Sequence, residues 1–235
     1  MMRGQCWIIT GVLGLCVGLL LFSPAVAAEM TTYSTGMLQP RDSVLQVAVG
    51  DVAPDFELPS IAGTPVRLSD YRGSRNVVLT FVPAAWTPVC SDQWPGYRLA
   101  IDLFKANNAE LIGITVDNTP TQKAWVDAMG GLNFPVVSDF WPHGNVASAY
   151  GILRSDGVAE RAVFIVDTKG VIRFIHVEDI NKRPDLGMLV KALEAVNAKE
   201  CLLGGQGFVP AVKQLGVPGD SHGFKDRFEI AGQTR

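Results

Sequence analysis

No C-x-x-C pair occurs anywhere in the 235-residue chain, which removes zinc ribbons and dithiol oxidoreductases of the thioredoxin type. Four cysteines are too few for a disulfide-scaffolded mini-protein of this length. Basic excess is also lacking, with 20 Lys and Arg against 23 Asp and Glu, so a dedicated nucleic-acid binder is excluded. There is no Gly-rich phosphate loop and no dinucleotide fingerprint, hence no nucleotide cofactor is expected. Histidine is scarce (His143, His176 and His222), and none clusters with cysteine, so no metal site is expected either. What is present is apolar material: 48% hydrophobic against 18% charged residues, enough for one buried core.

The ends read differently from the middle. An uncharged, largely apolar run from Cys6 to Phe22 follows Arg3 and precedes Ser23-Pro24-Ala25-Val26-Ala27. That layout is a secretory signal peptide over residues 1–27, with cleavage after Ala27. The alternative is a retained membrane anchor, for which the run is slightly short of the ~20 residues that cross a bilayer. A lipoprotein is disfavoured because Leu15, not a small residue, precedes Cys16. The expectation is an exported protein, periplasmic or extracellular, whose mature chain keeps only Cys90 and Cys201. Residues 28–46 are Thr/Ser-rich without apolar period and read as a linker, and residues 199–235 read as an irregular Gly-rich tail. The folded domain is expected over 47–198.

Within it, Val77–Val82 and Leu111–Val116 are short, nearly continuous apolar runs, as in central strands covered on both faces. Ala162–Val166 and Val171–Val177 flank Asp167-Thr168-Lys169-Gly170, a hairpin turn. A small preliminary hairpin is expected around Gly63. Helical spacing is carried by Leu99, Leu103 and Phe104 after Cys90. Thr119-Pro120 opens a helix to about Met129, and Leu186, Leu189, Val190, Leu193 and Val196 mark a closing one. The order β-α-β-α-β-β-α predicts an α/β, thioredoxin-like fold with a mixed central sheet and helices on both faces.

Cys90 follows the first buried strand at the expected start of a helix. Unpaired backbone N–H groups and the positive helix end both favour a thiolate there. The other reading is an inert buried cysteine. Thr87 places a hydroxyl three residues earlier, able to donate to the sulfur or to accept from a bound substrate.

Pro83-x-x-x-Thr87-x-x-Cys90 resembles the peroxiredoxin signature, in which this cysteine attacks the peroxide. Val49-Gly50-Asp51-Val52-Ala53-Pro54-Asp55-Phe56 and Leu68-Ser69-Asp70-Tyr71-Arg72-Gly73 are similar to that family's opening. The block Phe134 to Gly144, followed by Ala149-Tyr150-Gly151, resembles the one-cysteine alkyl hydroperoxide reductase E type. The likeness runs from about Val47 to Val196. It implies a thiol-dependent peroxidase that reduces hydrogen peroxide or organic hydroperoxides through a cysteine sulfenic acid. It further implies Arg161 as the arginine that holds thiolate and peroxide, with Pro83 shielding the sulfur. No cofactor is implied. The implied partners are the peroxide, an external thiol reductant of thioredoxin-like or low-molecular-weight type, and a second copy in a homodimer. A non-enzymatic thioredoxin-fold redox sensor or binding module is the competing function, and it would need none of these four residues. His143 and Trp141 lie in the resembling block without an assigned role.

The sequence departs from the family at two places. Gln93 stands where many relatives carry Glu, so a carboxylate contact to the arginine is lost; Trp86 replaces the usual Phe. Cys201 leaves two readings open. Two-cysteine relatives use a position much like this one to condense with the sulfenic acid, whereas the one-cysteine resemblance makes it incidental.

Overall fold

The structure, a computed structural model, describes residues 30–177 and 179–204, the last five by their backbone alone. The expected signal segment and the chain beyond 204 lie outside the described residues. Among the described residues no helix is long and apolar enough to cross a membrane.

Five strands form the central sheet, in the order β5-β4-β3-β6-β7. The middle strand β3 (Asn76–Phe81) buries all six residues, as its largely apolar run requires, with the polar Asn76 and Thr80 hydrogen-bonded. It pairs parallel with β4 (Ala109–Thr115) and antiparallel with β6 (Ala162–Val166). β6 and β7 (Ile172–Val177) close the expected hairpin. Its turn is fixed by Asp167 Oδ1, which accepts from the N–H groups of Lys169 and Val171, and by Gly170 at φ +81°. The preliminary hairpin is β1 (Glu57–Leu58) with β2 (Val66–Arg67). The mixed sheet and its helices are those of the expected thioredoxin-like α/β fold.

Several elements differ from the sequence expectation. β5 (Val136–Ser138) adds a three-residue strand beside β4, too short to carry a period of its own. The helical region after Cys90 is two helices, α1 (Pro88–Leu99) and α2 (Ile101–Ala106). The break at Ala100 resets the phase, so Leu99 is 83% exposed while Trp94, Tyr97 and Phe104 are buried. Helix α3 (Thr119–Ala128) is capped by Asn118, whose side chain accepts from Thr121 N–H, rather than by Thr119. A short α4 (Asn145–Tyr150) follows β5. Finally, α5 (Leu186–Gly204) runs past the expected end at 198. Cys201 therefore sits on a helix and not in an irregular tail: the apolar face of Leu189, Leu193 and Val196 carries the helix on until Gly204.

Residues 31–46 also differ from a free linker. They lack regular structure but run over the domain as a strap, held by backbone groups. Tyr33 N–H donates to Trp86 O (2.7 Å), Ile180 N–H to Pro40 O (2.9 Å), and Gln46 N–H to Tyr150 O (3.3 Å). The strap passes so close to Gly151 that a Cβ there would collide with the backbone of Val44 to Gln46. A second glycine seats α1 on the sheet. At Gly113 in β4 a Cβ would stand 2.8 Å from the Trp94 ring, so the missing side chain lets that indole lie flat against the strand. Trp94 stacks on Trp125 at 4.9 Å, and Trp125 Nε1 donates to Ser91 Oγ (3.0 Å), locking the turn that carries Cys90.

Candidate active site

β3 ends at Phe81, and the chain turns through Val82 to Trp86 before α1 begins. Open α/β sheets hold their ligands beyond the carboxyl ends of such strands. The turn is tight: Trp86 takes φ +65°, a conformation in which a bulky residue is strained. Asp117, at the end of β4, anchors the turn by accepting from Ala85 N–H at 2.8 Å.

Thr87 is the N-cap residue of α1, and Pro88 occupies the first helical position, where a missing N–H is harmless. The first helical bond runs from Ser91 N–H to Thr87 O (2.9 Å), leaving the amides of Val89 and Cys90 in the unpaired first turn. Cys90 is fully buried there and carries a free thiol. The Thr87 hydroxyl donates to Ala84 O (3.0 Å), not to the sulfur. With its proton committed, its lone pairs can accept a hydrogen bond from an incoming group.

Arg161, at the mouth of β6, is brought to the same place by the antiparallel pairing of Phe81 with Ala162. Its guanidinium serves three acceptors. Nη2 lies 3.5 Å from Cys90 Sγ, Nη1 donates to Gln93 Oε1 (2.7 Å), and Nε donates to Ile180 O (2.9 Å). Only 4% of the residue is exposed. A planar donor fork fixed on three sides cannot swing away from the sulfur. The carboxylate contact is lost as expected, and the Gln93 amide oxygen takes its place as a neutral acceptor for the arginine. The Gln93 amide nitrogen donates in turn to Thr80 Oγ1 (3.1 Å) and Tyr97 Oη (3.3 Å). Burial pushes the Tyr97 phenol above its ordinary range, so it remains protonated and neutral. A neutral network around Arg161 leaves its charge for the sulfur and whatever reacts with it.

A cavity of about 340 Å³ opens onto Pro83, Thr87 and Arg161. Its outer side is made by strap residues, Met37 and Leu38 among them. The structure therefore brings together Pro83, Thr87, Cys90 and Arg161. Asn181 and the strap belong to the same place but were not picked out from the sequence, and Gln93 was noted there only as a lost carboxylate. His143 and Trp141, which had no assigned role, do not line this cavity. His143 Nε2 donates to Gly157 O (2.6 Å), a loop-fixing bond, and Trp141 is 81% exposed.

Cys201 is at the other end of the sheet. The N-terminus of α5 is near the site, where Arg183 pairs with Asp92, two residues after Cys90. Its far end bonds through Asn197 to Asn76, the first residue of β3, and to Asn107. From Leu186 to Cys201 the helix rises about 22 Å, whereas a disulfide needs Cα atoms within about 7 Å.

The sequence model of the AhpC/TSA family matches residues 49–175. The chain belongs to that family. Alkyl hydroperoxide reductase E of Mycobacterium tuberculosis is 38% identical over 151 residues, 64% of this chain and 98% of that protein. A chloroplastic 2-cysteine peroxiredoxin of Chattonella marina var. antiqua is 33% identical, over 65% of this chain and 82% of that one. Among solved structures, the reduced 2-Cys peroxiredoxin of Plasmodium vivax superposes with a TM-score of 0.61 at 26% identity, covering 66% of this chain and 84% of its own. A peroxiredoxin of the AhpC/TSA type is a thiol-dependent peroxidase, an oxidoreductase that takes a peroxide as oxidant and a thiol as reductant.

Proposed function

We propose that Cys90 is the peroxide-attacking thiolate of this peroxidase, with Thr87 and Arg161 holding the peroxide and Pro83 screening the sulfur. The observation that carries this reading is the guanidinium fixed 3.5 Å from a first-turn cysteine, with the same arginine and Thr87 lining a common cavity. The Cys90 sulfur attacks one peroxide oxygen, the O–O bond breaks, and the other oxygen leaves with a proton as water or an alcohol. Arg161 donates toward the oxygens as negative charge passes from sulfur to the departing one. Cys90 is left as a sulfenic acid. One external thiol condenses with it, releasing water, and a second frees the Cys90 thiol by exchange. The distance along α5 supports an external reductant over Cys201 of the same chain.

Thr87→Val tests the positioning. It keeps the shape and removes the hydroxyl, so single-turnover oxidation of the reduced full chain is expected to slow about tenfold or more. Thr87→Ser is expected to recover most of the rate. Equal rates for wild type and valine variant, read by stopped-flow fluorescence, would remove Thr87 from the mechanism.

The reading extends to place and assembly. Arg3, the apolar run 6–22 and Ala25-Val26-Ala27 support export and removal of residues 1–27. The secreted protein is then expected to begin at Ala28, as N-terminal sequencing would report; a chain retaining those residues contradicts export by cleavage. A homodimer is the assembly common in the family.

A further inference from the structure

The strap, residues 31–46, precedes the family-matched residues 49–175, yet the domain is built to hold it. Asn181 binds Leu38 in both directions: its Oδ1 accepts from Leu38 N–H (3.0 Å), and its Nδ2 donates to Leu38 O (2.9 Å). Beneath lies an ion pair, Arg154 with Glu160 at 3.0 Å, whose side chains are 3% and 0% exposed. Each member of the pair also bonds to the strap, while Arg154 Nε donates to Asp156 Oδ2 (3.4 Å). Arg154 Nη1 donates to Gln39 O (3.2 Å), and Glu160 Oε1 accepts from Asp42 N–H (2.7 Å). Without the strap two buried charges would lose partners, a costly state that ties the segment to the fold.

The segment held this way forms the outer side of the cavity above Pro83, Thr87 and Arg161. At about 340 Å³ the cavity is roughly ten times the ~30 Å³ share of one water. A bare O–O unit fills little of it. The remaining lining is mostly apolar, with Met37, Leu38, Val89, Val158 and Ile180, beside the polar side chains of Ser34, Thr35, Asp156 and Asn181. Met37 is 85% exposed, so apolar area remains there for a bound group to cover.

We propose that the strap is a substrate-binding element, with Met37 and Leu38 as the wall that receives the organic group of a hydroperoxide. This favours peroxides carrying an apolar carbon group over hydrogen peroxide. The proposal rests on Cys90 as the reacting thiol. Because Leu38 is bound to Asn181 only through its backbone, its side chain can be changed without unfastening the strap.

The test is single-turnover oxidation of the reduced full chain by cumene hydroperoxide and by hydrogen peroxide. Leu38→Asp, which puts a charge in the wall, is expected to lower the cumene-to-hydrogen-peroxide rate ratio at least about tenfold. Leu38→Ala, which only removes contact and keeps the fold safer, is expected to lower it about threefold. Ratios within about twofold of wild type in both variants overturn the proposal. Oxidation of Cys90 itself separates the two claims. Cys90 oxidised with an unmoved ratio overturns the strap alone, whereas Cys90 untouched by either peroxide overturns the reading beneath it as well.

Discussion

Cys90→Ser is expected to lower the second-order rate of peroxide reduction by at least about 10⁴-fold, the scale on which enzymes lose activity with their nucleophile. The replacement is nearly the same size, and the site is fully buried, so the packing of α1 against Trp94 and Trp125 is retained. What changes is chemistry. A serine hydroxyl stays protonated at neutral pH beside the same guanidinium and the same helix terminus, and oxygen attacks an O–O bond far less readily than sulfur. Cys201→Ser provides the comparison, since that residue lies a helix length from the site. Its single-turnover rate is expected to match wild type. If Cys90→Ser consumed peroxide as fast as the parent chain, the assignment of the thiolate would be wrong.

Arg161→Met carries the second large effect, a loss of about 10² to 10³ in the same rate. Methionine fills the volume but gives the sulfur and the peroxide no charge and no donors. Two buried acceptors lose their donor as well, Gln93 Oε1 and Ile180 O, at about 1–3 kcal/mol each. The melting temperature is therefore expected to fall together with the rate. Arg161→Lys distinguishes the two losses. A lysine keeps the charge but has no fork able to serve sulfur, amide and carbonyl at once, so an intermediate rate is expected. If Arg161→Met retained the wild-type rate while losing stability, the arginine would be a fold residue only.

Much of the site was legible because it is local. Pro83, Thr87 and Cys90 lie within eight residues, and their strand, turn and helix start follow from apolar run, proline and cap. Arg161 could be found only through resemblance, since the pairing of β3 with β6 joins it to a residue 71 positions away. Gln93 showed its absence of charge in the sequence but not its contacts. An amide presents an acceptor to Arg161 and donors to Thr80 and Tyr97 at once, a choice visible only when all three side chains are in place. The strap was hidden for the same reason. Its Thr/Ser-rich composition has no apolar period, and its bonds reach residues 118 and 143 positions away. Glycines beyond Lys199 suggested an early end to the closing helix, but burial of Leu189, Leu193 and Val196 outweighs them.

The most direct measurement is chemical trapping on the full chain. The reduced protein is treated with one equivalent of hydrogen peroxide in the presence of dimedone, and the cysteine peptides are mapped by mass under non-reducing conditions. The account predicts one dimedone adduct per chain, on Cys90, with Cys201 left as a free thiol. An adduct on Cys201, no adduct on Cys90, or a Cys90–Cys201 disulfide within one chain would contradict it.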